Sequence, residues 1–450
     1  MPLRAMARWL ALLSWFPMHS LWAMDLLQAY RGALLNDAQF AAAQAQHRAG
    51  LEQVVQRRAG LLPQLSLNAQ SNWGTTEYEV ATGSIEHHQQ SRTYSVQLVQ
   101  PLFRWQNWVQ YQQGGQLTAL AASRLNRAHQ ELILRVAEAY FAVLGARDVL
   151  EAVTQLQVAE AGQLASAKKH FELGNVSIAD VHEAQASFDR TSAQAIKAAS
   201  DLELAIHALV RIIGRQPGSL WVLRKSDVAF DPPQPDDVEA WIAAAGHNNP
   251  DVQAQELLLN IAHHEVRSRR AEHLPTLDLV ASQNMQEHPN AGTERSESSS
   301  VGLRLSMPLY AGGRSSSAVR EAKALHAQTR AELEDARRAA TLAVRQAWQG
   351  IVAGMAQVRA LDTARISARS ALDANRLGYR IGVRSSIDVL EVQSRFAETV
   401  QQLSRARYDT LLAQLRLKAA VGDLGETDLQ AINALLGPEP LRPSLAGGKL

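Results

Sequence analysis

Arg57-Arg58-Ala59-Gly60-Leu61-Leu62-Pro63-Gln64-Leu65 returns as Arg269-Arg270-Ala271-Glu272-His273-Leu274-Pro275-Thr276-Leu277, displaced by 212 residues. At the same displacement Asn36 falls on Asn248. Gln100-Pro101-Leu102-Phe103 answers Met307-Pro308-Leu309-Tyr310 at 207, so the span between each pair of prolines differs by five residues, as a loop-length change would leave it. Further along, Phe171-Glu172-Leu173-Gly174, Ser177, Asp180, Val181, Glu183 and Gln185 answer Tyr379-Arg380-Ile381-Gly382, Ser385, Asp388, Val389, Glu391 and Gln393 at 208. Ordered matches at nearly one displacement predict an internal duplication. The expected organisation is a segment 1–23, a first repeat 24–213, a linker 214–237, a second repeat 238–425 and a tail 426–450.

Beside these anchors the chain alternates. Leu65, Leu67, Ala69 and Trp73 oppose Gln64, Ser66, Asn68, Gln70 and Asn72; Tyr94, Val96 and Leu98 interleave with Ser95 and Gln97. In the second half Leu277, Leu279 and Ala281 oppose Thr276, Asp278, Ser282 and Asn284, and Val301, Leu303, Leu305 and Met307 oppose Gly302, Arg304 and Ser306. Period two over about ten residues suits a tilted membrane strand, and equally a soluble sheet with one solvated face. Residues 74–90 and 287–300, rich in Ser, Glu, His and Gly, read as external loops. Trp73, Phe103, Trp105, Trp108 and Tyr310 fall near strand ends, where interfacial aromatics sit. Pro63, Pro101, Pro275 and Pro308 mark the strand–helix junctions. Four strands are fewer than the eight or so of the smallest membrane barrels, so strands that enter lipid need other copies to pair their edges.

Between the strands lie two proline-free spans, 102–216 and 309–437, filled with Ala, Leu, Gln, Arg and Glu. Proline inside a helix costs about 3 kcal/mol or more, so such spans predict long helices. Leu132, Val136, Ala139, Val143, Ala146, Leu150 and Val153 follow the 4,3 spacing of a coiled-coil seam. Gly174 and Gly382 interrupt the two spans, and a glycine between antiparallel helices marks a hairpin turn.

The chain has 45 Lys+Arg against 44 Asp+Glu, a balance that points away from nucleic acid. The absence of Cys excludes disulfides, thiolate metal sites and a lipidated N-terminal cysteine. Arg4 and Arg8 ahead of the apolar run 9–16, with Ala23 as the small residue before a cut, read as a secretory signal. No later stretch approaches the ~20 apolar residues of a spanning helix. His263-His264-Glu265 lacks the His-x-x-x-His spacing of a zinc helix, His87-His88 falls in an expected loop, and no phosphate-binding glycine loop occurs. No metal, cofactor or enzymatic activity is expected.

These residues resemble the TolC-like outer membrane factors, the trimeric exit ducts of Gram-negative export systems. The resemblance covers about residues 25 to 425 and rests on R-R-A-x-x-L-P-x-L in both halves, on P-L-Y-A-G-G from Pro308 to Gly313, and on the run from Tyr379 to Glu391. It departs where Ala38 stands in place of the family's proline, which the second half keeps as Pro250. The resemblance implies a trimeric 12-stranded outer-membrane β-barrel with four strands per chain, continued by a long periplasmic α-helical coiled-coil barrel. It further implies that the hairpin tips, at Gly174 and Ser177 and at Gly382 and Ser385, form the periplasmic entrance, with Asp180, Tyr379, Arg384 and Asp388 holding it closed. Glu391, one turn after Asp388, shares its face and would add to a carboxylate ring. The implied partners are a homotrimer, a periplasmic membrane-fusion adaptor, an inner-membrane ABC or proton-driven transporter and outer-membrane lipid. Type I protein secretion is favoured and small-molecule efflux is the alternative; a periplasmic adaptor or a coiled-coil scaffold are readings from another class.

Overall fold

A computed structural model of the chain describes residues 23–224, 230–290 and 293–438. The signal segment, up to residue 22, and the last twelve residues of the tail lie outside the described residues. Eight helices fall into two series. The first is α1 (Leu26–Asn36), α2 (Ala38–Ala59), α3 (Trp105–Glu172) and α4 (Ile178–Ile213); the second is α5 (Val238–Asn248), α6 (Pro250–Ala271), α7 (Arg314–Arg380) and α8 (Ser386–Val421). Their lengths are 11, 22, 68 and 36 residues, then 11, 22, 67 and 36. Each series carries a β-hairpin between its second and third helices: β1 (Gln64–Val80) with β2 (Gly83–Phe103), and β4 (Thr276–Asn290) with β5 (Thr293–Ser306).

The starts of α2 and α6 show how different residues reach one structure. Asn249 caps α6 by accepting from the Asp251 and Val252 amides at 2.9 and 3.1 Å, with Pro250 in the first turn. In the first half Ala38 takes the proline's place, and the carboxylate of Asp37 accepts the Phe40 amide at 2.7 Å. Asp37 is further held by Arg135 at 2.9 Å, so a charged cap replaces the pre-set proline.

At about 1.5 Å per residue α3 and α7 each run some 100 Å, and every other helix is laid against them. Close to the sheet the lateral order is α2, α3, α6, α7; farther away it is α4, α3, α8, α7. One layer of helices therefore continues one layer of strands. Because α3 meets neighbours on several sides, burial spreads beyond the heptad seam: Ile133, Ala137, Tyr140 and Leu144 are buried along with Leu132, Val136 and Val143. The main core gathers here, between α1, α3, α4 and α8.

Among the described residues, parts of the segments read as linker and tail carry secondary structure. In the linker, β3 (Val222–Leu223) pairs antiparallel with β6 (Leu436–Gly437), which follows α9 (Glu426–Ala434). Leu429, Ile432 and Leu436 are buried in the main core, and their 3,4 spacing is the apolar signal that draws the segment inward. Tyr140 locks this patch to α3, its hydroxyl donating to the Trp221 carbonyl at 2.9 Å.

One correction concerns the loops. Residues 74–80 and 83–90 continue the β1–β2 ladder to a turn at Ala81 and Thr82, and the ladder of β4 with β5 likewise runs through most of 287–300. Polar side chains report exposure to water, and they leave the backbone free to pair. The strands reach 17, 21, 15 and 14 residues, beyond the ~9–11 needed to cross a bilayer.

Candidate functional site

Two ends of the molecule carry features that packing alone does not explain. At one end the strand order is β1-β2-β4-β5, all antiparallel. The register sets Leu65 opposite Leu98, Leu67 opposite Val96 and Ala69 opposite Tyr94, and then Leu98 opposite Ala281. Leu277, Leu279 and Ala281 in turn face Leu305, Leu303 and Val301. Cross-strand partners share a face, so one side of the sheet gathers these apolar side chains into a band, with Gln100, Gln283 and Ser299 among them, and the other carries mainly Ser, Asn, Gln, Asp and Arg. On the outer strands the band is bare: Leu65 and Leu67 are each 72% exposed, Val301 76% and Leu303 67%. β1 and β5 also leave one backbone edge each unpaired within the chain. A face this apolar is stable only against hydrocarbon or another protein. Among the described residues no helix is long and apolar enough to cross a membrane, so any spanning falls to the strands.

Sheet and helices are joined by a clamp that sequence reading misses. Arg104, the residue before α3, donates to both carboxylate oxygens of Asp278 on β4, at 2.7 and 2.6 Å, and Asp278 is 4% exposed. The partners lie 174 residues apart, so spacing gives no sign of them. Of the junction prolines, Pro63 and Pro275 directly precede β1 and β4, and Pro308 follows β5. Pro101 instead lies within β2, at a register shift between Pro101 and Phe103 where a residue without an N–H interrupts the ladder.

At the other end both hairpins turn in the same way. Gly174 and Gly382 hold φ of +73° and +83°, a region that favours glycine. After each comes a serine cap. Ser177 Oγ accepts the Asp180 amide at 3.3 Å while Asp180 accepts the Ser177 amide at 2.8 Å; Ser385 and Asp388 repeat the box at 3.2 and 2.9 Å. The Ser385 amide, then its hydroxyl, then the charge of Arg384 hold the Asp388 carboxyl below the ordinary aspartate range. Glu391 pairs with Arg395 one turn on. The tips keep the glycine, serine and aspartate and differ at most positions between, among them the groups singled out in sequence: Phe171 of the first corresponds to Tyr379 of the second, and Val176 to Arg384. Arg384 lies over Gly378, where an added Cβ would stand 2.7 Å from its Cγ.

Within one chain, no hydrogen bond or ion pair among the described residues joins Asp180 to Tyr379, Arg384 or Asp388. Links between the hairpins include Gln163 of α3, donating to Ser386 Oγ at 2.6 Å, and higher up Asp148 of α3, which accepts from Tyr408 at 2.8 Å and from Ser404 of α8. Neither link has a sequence signal, since both arise from the packing of α3 on α8. His88, read as a loop residue, lies across the ladder from Thr75 with Nδ1 2.8 Å from its hydroxyl. Among the described residues no group of three or more His, Asp or Glu could hold a metal.

The outer membrane efflux protein model matches residues 29–215 and again 241–423. The chain belongs to that family. Relatives include the outer membrane protein TolC of Vibrio cholerae, 32% identical over 92% of this chain and 94% of that protein. The alkaline protease secretion protein AprF of Pseudomonas aeruginosa is 32% identical over 93% and 89%. Among solved structures, the Campylobacter jejuni CmeC outer membrane channel superposes with a TM-score of 0.77 at 16% identity, covering 91% of this chain and 89% of that one. This efflux-family protein is thus an outer-membrane channel, with the TolC-type fold of a four-strand sheet on long helices. The apolar band on its sheet is the surface such a location requires.

Proposed function

We propose that the protein is the gated exit duct of a tripartite export system. Three chains would join their sheets edge to edge as a 12-stranded barrel and their helices as a periplasmic tunnel, fed through a periplasmic adaptor by an inner-membrane ABC or proton-driven transporter. Two bare edges per sheet and one bare apolar face support this closure. The matched element lengths of the two halves support reading the chain as a duplicated unit.

The observation that carries the gate reading is the asymmetry of the tips. Two hairpins share one scaffold of glycine turn and capping box, and the second adds a phenolic hydroxyl at Tyr379 and a guanidinium at Arg384. Among the described residues neither group is hydrogen-bonded to Asp180 within its own chain, and both would link to Asp180 of a neighbouring hairpin to close the entrance. Exposed links of this kind are worth about 0–1 kcal/mol each, as suits an opening triggered by a partner. Changing Tyr379→Phe with Arg384→Ser should raise single-channel conductance in planar bilayers, and an unchanged conductance would count against the gate.

Type I protein secretion is the favoured route, because AprF and the proteases secretion protein PrtF of Dickeya chrysanthemi match over 93% of this chain. Small-molecule efflux is the second reading. It is supported by the outer membrane efflux protein BepC of Brucella suis, at 26% identity over 70% of this chain.

A further inference from the structure

Below the β3–β6 pair, α3, α7 and α8 line a half-open groove of about 810 Å³. Its wall carries six arginines, Arg147, Arg224, Arg365, Arg369, Arg376 and Arg407, against three carboxylates, Asp148, Glu151 and Asp362. The floor is apolar, with Leu372 2%, Leu403 3% and Leu156 7% exposed. Neither the apolar sheet nor the hairpin tips involve this groove.

Two of these arginines share a single carboxylate. Arg365 and Arg407 converge on one oxygen, Oδ1 of Asp362, at 3.2 and 3.7 Å. Asp148 is engaged by the hydroxyls of Tyr408 and Ser404, and the nearest Arg147 nitrogen stands 3.9 Å away. Burial, then the charge of Asp148, pushes the Tyr408 hydroxyl far above its ordinary pKa, so it stays a donor to Asp148. Arg376 meets a neutral partner, donating to Gln393 Oε1 at 3.3 Å. Arg369 pairs outward with Asp373 at 3.2 Å and lies 5.8 Å over the Phe396 ring.

Guanidinium groups sharing one anion repel one another, and each presents a planar fork shaped for carboxylate, sulfonate or phosphate. A cleft of a few hundred to a thousand Å³, apolar with a few polar groups, is typical of small-molecule sites. We propose that this groove binds a compact organic anion, its acid group at Arg365 and Arg407 and its apolar body on the floor formed by Leu156, Leu372 and Leu403. Asp362 then acts as an internal competitor, a carboxylate already occupying the focus of two arginines.

The test uses the full-length protein in neutral maltoside and isothermal titration with three probes: 2-naphthoate, the uncharged 2-naphthylmethanol, and inorganic phosphate. Naphthoate is expected to bind at least ten-fold more tightly than either of the others, with affinity falling as salt is raised. Arg365→Gln with Arg407→Gln should weaken naphthoate at least ten-fold, with oligomeric mass and helical circular dichroism unchanged. Asp362→Asn should strengthen it several-fold, a gain that misfolding cannot produce. Equal binding of naphthylmethanol, or of naphthoate to the double variant, overturns the anion site; phosphate binding as tightly as naphthoate overturns the role of the floor. Absence of naphthoate binding to the wild type, or of any gain in Asp362→Asn, likewise sinks the proposal.

Discussion

Gly422 and Gly382 both hold positive φ, +89° and +83°, yet their surroundings are opposite. A Cβ at Gly382 meets nothing within 4 Å, whereas one at Gly422 would stand 2.2 Å from the Asn248 carbonyl oxygen. Gly214 repeats the arrangement in the first half, where a Cβ would reach 2.7 Å from Asn36. Gly382→Ala should therefore cost only the left-handed backbone term of about 1–2 kcal/mol. Gly422→Ala adds a backbone collision and should cost about 3 kcal/mol or more, seen as a markedly lower midpoint in thermal unfolding. The Asn36–Asn248 match was visible in sequence, but its glycine partner was not, because nearly two hundred residues separate each pair. The same distance hid the clamp of Arg104 on Asp278. Breaking a buried pair costs about 3–5 kcal/mol; since Arg104 reaches solvent, Asp278→Asn should cost about 2 kcal/mol, measured on the same unfolding curve.

Among the elements, helices were the most legible because proline is excluded from their interiors for a local reason, and two proline-free spans gave two hairpins of helices. Turn positions were legible for the same kind of reason, a glycine followed by serine and aspartate at capping-box spacing. The upper strands were not, since pairing is a property of two backbones, and Ser, Glu and His at 74–90 speak only of water. The small β3–β6 pair is legible only once Leu436 is known to be buried. At the second tip the sign of the pH dependence follows from Asp388. Its folded pKa is depressed, so its contribution to the α8 start is fully present above the unfolded value of ~3.9 and is lost as pH falls through the lower folded value. Amide exchange at Asp388 should be flat between about pH 7 and 5 once corrected for intrinsic rates, and protection should fall off below about pH 4. Ser385→Ala, which removes the box, should lose protection at every pH.

For the whole molecule, the proposed closure would make the sheet the part that a single chain cannot complete. The apolar band predicts that Leu303→Arg places a charge against hydrocarbon at a cost of about 2–4 kcal/mol near the bilayer midplane, read as loss of outer-membrane yield while the helical signal of the soluble fraction persists. The two bare edges predict something about inheritance. A subunit whose helices cannot pack never reaches its partners and leaves wild-type copies to assemble alone, so such an allele should be recessive. A subunit with sound helices but a proline in β5 would still take its place beside normal copies and leave the wall open at one seam. Co-expressed with the wild type, that allele should be dominant, its damage exceeding its share of the protein made.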